Sequence, residues 1–331
     1  MVIPQSKLLL QNADRALARG REPKKLITSY LLITTFTAAF ITVATYWLGL
    51  QIDDTAGLSQ LGTRAIFSTA QSVLPMIQSV VLMCLQLGYL HAMLRIARGQ
   101  YADHTDLKVG FQRFFPMLRM TLLIGLIYFA VGFATFYFSI QLFAFTPWYD
   151  ELYTVMMPVI ESTTVPDPTY VLDELTLAQA TEAMIPMLII YAVLYGSLAI
   201  VLNYKFRMAN YALLDNPQAG AIAAMRASAK MMRRNGIHLF KVDLSFWWYY
   251  ALTLLCTVIC YGDMLLPLLG ITLPLNSTVT YFLFYGVYLA AVFAVHYFFR
   301  NRVEASYIMA YEAICEKPRD GGVVLGNIFD M

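Results

Sequence analysis

Residues 216–250 read NPQAGAIAAMRASAKMMRRNGIHLFKVDLSFWWYY, and the reading of this stretch decides the fold. Asn216 before Pro217 is a helix start, because asparagine caps well and proline at the first helical position loses no hydrogen bond. Arg226, Lys230, Arg233 and Arg234 gather in the second half, where cations suit the negative end of the helix dipole. Wound at about 100° per residue, Ile222, Met225, Ala229 and Met232 form one stripe and the four cations an adjacent one. Such a helix, spanning 217–234, fits a membrane surface with its apolar stripe down and its cations toward lipid phosphates. The other reading is a cytoplasmic helix packed on loops with its charges solvated. Asn235-Gly236 is expected to stop it in a left-handed turn, and Phe246 to Tyr250 then open a membrane span at the interface.

Composition agrees. Of 331 residues, 59% are hydrophobic and 13% charged, against about 25% charged in a soluble domain. Six apolar runs stand out, at about 26–50, 65–94, 120–145, 183–203, 244–266 and 279–299. Each is long enough to cross roughly 30 Å of hydrocarbon. The first is read as a span and not as a cleavable leader, since it is too long and lacks a small-residue cleavage site. Before it, residues 1–25 read as a short basic amphipathic helix ending near Gly20. Pro75 is expected to kink the second span. Residues 147–181 read as one long acidic outer loop, and 318–331 as a flexible tail. The expected fold is therefore all-α: a single six-span membrane domain over 1–317 with amphipathic helices on its inner side.

Charge placement orients it. On this map the inner segments hold six Lys and Arg at the N-terminus, five in loop 95–119, seven in loop 205–241 and four from Arg300 onward. Only Arg64 of the 23 lies outside. Acidic residues divide almost evenly, 11 inside and 10 outside, as expected of a rule that Lys and Arg govern. Both termini are expected to be cytoplasmic, in a multi-pass protein of the cell (cytoplasmic) membrane.

Little in the chain carries chemistry. The four cysteines have no metal-ligand spacing, and neither do His91, His104, His238 and His296. There is no Gly-rich phosphate loop, no Ser-His-Asp pattern and no ionisable residue at mid-span, so no enzyme, no cofactor and no metal is expected. Gln71, Gln78 and Gln86 lie within an arc of about 80° on the second span. They form a candidate polar path beside Pro75, or else hydrogen-bonding glue between helices.

Asp215-Asn216-Pro217, Ser228 with Met231-Met232, Leu239-Phe240, and Asp243-Leu244-Ser245-Phe246 followed by Trp247 form a longer motif. In these positions the chain resembles an uncharacterised family of bacterial six-span integral membrane proteins. Arg233-Arg234 stand where that family tends to have glycine. The resemblance implies a bacterial cytoplasmic-membrane protein and no known activity. Within the motif, Asp243 is placed to cap the fifth span or to pair with Lys241 or Arg207, and Ser245 to bond to nearby backbone. The expected work is non-catalytic: Arg226, Lys230, Arg233 and Arg234 bind the anionic headgroups of membrane lipids, or a protein partner, in envelope maintenance. A permease for a small or lipid-like substrate is the alternative. Nucleic acid is not an expected partner.

Overall fold

A computed structural model of the chain describes residues 6–19, 23–54, 61–163, 174–268, 270–271 and 276–315. The expected tail, 318–331, lies outside them. Among the described residues every regular element is a helix. Five helices are long and apolar enough to cross a membrane, or six if one bent pair makes a single span. The four long continuous candidate spans before the last helix are α2 (Pro23–Asp54), α3 (Leu61–Ala97), α5 (Phe114–Phe143) and α7 (Glu174–Phe206). The chain opens with α1 (Ser6–Arg19), and α3 and α5 are joined by a 3-10 turn (His104–Lys108) and the single turn α4 (Val109–Gln112). After α7 come α8 (Ala209–Asp215), α9 (Gly220–Met232), α10 (Gly236–Ser245), α11 (Trp247–Cys260), α12 (Gly262–Leu268) and α13 (Ser277–Cys315).

Contacts group the residues into two compact units where the sequence reads as one domain: 1–117 with 208–331, and 118–207. In the second unit, α6 (Pro147–Thr163) packs on α7. The expected outer loop 147–181 is thus helical at both ends, with Pro147 at the first helical position, where its missing N–H costs nothing. Phe129 and Phe133 on α5 are about 70% exposed, as lipid-facing side chains of a span are. Aromatic packing pairs Tyr191 with Tyr195 on α7, and Phe136 meets Tyr191 edge-on at 5.9 Å. Gly132 leaves room for the Tyr195 ring.

In the first unit α13 packs on α1, α2, α3 and α11. All nine of its buried residues lie at or beyond Asn301. Its first half is therefore a candidate span with an apolar exterior, and its second half is the core of a helical cluster. That cluster also holds α1, α8, α9 and α10, joined by contacts of α1 with α3, α10 and α13 and of α8 with α3 and α9. Leu9 and Ala13 bury α1 in it.

The expected fifth span, 244–266, is divided. Its first residues belong to α10, which meets α11 at a bend of 65°, and Tyr261 breaks α11 from α12. Asp243 is consequently inside α10 and not at a helix start.

Two further expectations about 216–236 differ. The Asn216 side chain makes no cap bond. Pro217–Ala219 form a 3-10 turn, and Gly220, at φ 78°, restarts the helix in a conformation glycine adopts without strain. Asn235 is not left-handed (φ −109°). It ends α9 with its side chain instead: the buried amide donates to the Met231 carbonyl at 2.8 Å, filling an acceptor that the helix end leaves open.

Gly88 on α3 and Gly110 on α4 let two backbones touch. A Cβ on Gly88 would overlap the Leu107 carbonyl, and one on Gly110 the Cys84 carbonyl. Neither neighbour is a side chain that can move aside. Gly110→Ala is expected to cost about 1–3 kcal/mol, measured as a lower thermal midpoint in detergent, while Gly125→Ala, with open space around it, leaves the midpoint unchanged.

Candidate functional site

Three polar arrangements are built from the residues of the first unit. The first holds helix ends together. Gly99, at φ 74°, ends α3 in the left-handed turn, with Gln100 N–H donating to the Arg95 carbonyl at 2.8 Å and Gly99 N–H to that of Ile96 at 2.9 Å. Just before it, Arg98 forks to Asp215 at the end of α8, at 2.7 and 2.9 Å, and to Glu312 on α13, its Nε donating at 2.8 Å. The Tyr311 hydroxyl donates to the same Asp215 carboxylate at 2.7 Å. The Asp215 hydrogen bond raises the Arg98 pKa above its ordinary value, so the guanidinium stays charged. Arg113 adds a bond to the Leu214 carbonyl at 2.6 Å, and Arg95 pairs with Asp106 at 2.7 Å.

The second arrangement is the surface of α9 and α10. Arg226, Lys230, Arg233 and Arg234 are all exposed. The expected apolar stripe is spent inside the protein: Met225 and Met232 are buried, with Ala224, Ala227, Ser228 and Met231. Only Ile222 of that stripe is largely exposed. This corrects the expectation that α9 lies apolar face down on lipid, because α8 packs on that helix and most of the stripe is buried. Ser228 is part of the seal, accepting the Met208 N–H at 3.2 Å. The exposed apolar stripe is on the next helix, where Ile237, Phe240 and Leu244 recur at i, i+3 and i+7 and Trp247 follows at the bend. Lys241 lies exposed among them. Opposite, Leu239 and Val242 are buried, and Asp243 accepts hydroxyls from Tyr250 and Tyr307. The Ser245 hydroxyl donates to the Val242 carbonyl at 2.6 Å, the structural role expected of it.

The third is a polar seam between α2, α3 and α13. At one end Gln86 accepts the Tyr30 hydroxyl at 3.0 Å and a guanidinium N–H of Arg300. Arg300 sits 4.7 Å from the Tyr30 ring and 5.3 Å from that of Tyr89, two rings that stack on each other. Tyr89 donates to Asn301 at 2.6 Å, and Asn301 to the Pro23 carbonyl at 3.1 Å. Towards the other end Gln71 and Gln78 line a cavity of about 330 Å³ with Pro75. Of the three expected path residues, the fold joins Gln71 with Gln78 and gives Gln86 to Arg300.

In the sequence Arg300 is only one of the inner cations that follow the last apolar run. Its packing depends on Tyr30 and Tyr89, which no local pattern connects to it. The histidines do not gather: His104 lies 2.5 Å from Asp103, His91 4.0 Å from Asp106, and His296 beside the Tyr249 ring. Among the described residues no group of three His, Cys, Asp or Glu is arranged around a metal-sized space.

Comparisons with protein-family models, with curated proteins and with solved structures gave no match to this chain.

Removing Arg98 leaves two carboxylates facing each other. The Arg98 side chain is about one-third exposed, so the cost is expected between that of a surface pair and of a buried one, about 1–3 kcal/mol. Arg98→Met is expected to lower the thermal midpoint by several degrees. Arg98→Lys recovers only part, because an ammonium cannot fork to both partners.

Proposed function

We propose that this chain is a non-catalytic protein of the cytoplasmic membrane that binds anionic phospholipid headgroups through the joined surfaces of α9 and α10. In this reading it has six spans, the bent α10–α11 segment opening the fifth, and both termini are cytoplasmic. The distribution of Lys and Arg supports the orientation.

One observation carries the binding reading. Four exposed cations, Arg226 and Lys230 on α9 and Arg233 and Arg234 in the turn that ends it, run directly into a helix whose exposed stripe, Ile237, Phe240 and Leu244, is apolar and which bends by 65° into an apolar helix. An amphipathic helix continuous with a span lies at the headgroup level, its apolar side reaching the acyl boundary. The α9 cations then stand over the phosphates, each contributing on the order of 1 kcal/mol at an anionic surface. The Asn235 cap holds the two helices in register, so the cations and the apolar stripe are presented together.

A permease for a small or lipid-like substrate is the second reading, and the cavity beside Pro75 favours it. Substrate-dependent flux in proteoliposomes would distinguish the two.

The test is mass spectrometry of lipids that copurify from native membranes in mild detergent, wild type beside the fourfold reversal of Arg226, Lys230, Arg233 and Arg234 to Glu. Retained anionic phospholipid is expected to fall at least tenfold, with zwitterionic lipid unchanged. An identical lipid set would reject the reading. Loss of a copurifying protein with no change in lipid would move the surface to a protein partner.

A further inference from the structure

Amides within a membrane span persist where something satisfies them, since one left unpaired in hydrocarbon costs several kcal/mol. A facing helix is the usual supplier. Gln86 follows that rule, taking Tyr30 and Arg300. Gln71 and Gln78 do not: among the described residues neither side chain has a hydrogen-bond partner, and both face the same cavity. Pro75, between them, has no N–H to give to the carbonyl four residues earlier, which is that of Gln71. One stretch of α3 thus directs two amides at the cavity and leaves Gln71's carbonyl without its helical donor.

The opposite wall supplies matching groups. Thr42 donates to Tyr285 at 2.8 Å, Thr45 to the Ile41 carbonyl at 2.7 Å, and Tyr46 shares a hydrogen with Thr278 at 2.7 Å. Each of these hydroxyls keeps acceptor capacity toward the cavity. The rings of Tyr46 and Tyr281 stack 6.0 Å apart at 16°, giving a flat aromatic flank. No lining residue is charged, so an ion would enter without a counter-charge, at high cost inside a membrane. The volume, about 330 Å³, is within the range of small-ligand pockets.

We propose that this cavity is a binding site for an uncharged polyhydroxylated group, either a small free sugar or the sugar headgroup of a neutral lipid. Gln71 and Gln78 each offer an N–H donor pair and a carbonyl acceptor to neighbouring hydroxyls, and Tyr46 and Tyr281 flank the C–H face of the ring. The proposal is independent of lipid binding at α9 and α10, and it concerns binding, not transport.

The test is equilibrium binding of radiolabelled glucose and of monoglucosyl-diacylglycerol to the full chain in nanodiscs, for wild type, Gln78→Leu and Gln71→Leu. Saturable binding of at least one probe is expected, weakened tenfold or more in both variants, with thermal midpoints unchanged or raised. Binding of glucose identifies a free solute site, and binding of the glycolipid alone a headgroup site. Saturable binding of neither probe, or equal binding in all three proteins, overturns the proposal. So does a fall of several degrees in both variants' midpoints, which would assign the amides to helix packing. The fourfold reversal on α9 is expected to bind the probe as wild type does.

Discussion

Arg98 joins three helix ends that lie far apart in the chain, and the first unit depends on that joint. Its guanidinium takes Asp215 from α8 and Glu312 from α13 while its own backbone ends α3. The planar fork suits two carboxylates at once, and Tyr311 adds a hydroxyl to the one it shares with Arg98. With these ends fixed, the second half of α13 can be buried, α1 can pack on it, and α8 can cover the apolar face of α9. The cations of α9 are then left outside as a consequence of packing.

That joint changes what an amphipathic helix means here. The stripe of α9 is buried inside the protein, and the stripe of α10 stands exposed among the described residues. A helical period records that a face is apolar and is silent on whether protein or lipid covers it. Both helices carry the pattern, and only the tertiary contacts tell them apart. The Asn235 side chain, turned into the end of α9, is what passes the chain from one to the other.

Much of this was legible in the sequence. Apolar runs of twenty to thirty residues located the helices long and apolar enough to cross a membrane, because a span's length is set by the hydrocarbon it crosses. The helical part of 147–181 is hidden in the sequence because its acidic residues resemble a loop when counted by composition. Gln71 and Gln78 announced themselves by spacing. Gln86 shares that spacing and has another role, since its partners Tyr30 and Arg300 come from helices distant in sequence. Asp243 resembles a cap when the span is placed from Leu244, whereas the chain is already helical from Gly236 and bends at Phe246.

The depth of α10 in a bilayer is the quantity on which the membrane-surface reading turns. Spin labels at position 240 on α10 and at position 233, the residue that ends α9, each on a full-length chain in nanodiscs, would report it through collision with oxygen and with a water-soluble nickel chelate. Position 240 is expected just below the phosphates, with oxygen the stronger relaxant, and position 233 in water, with the chelate the stronger. Equal exposure of both positions to the chelate would place α10 in the aqueous phase and contradict the reading.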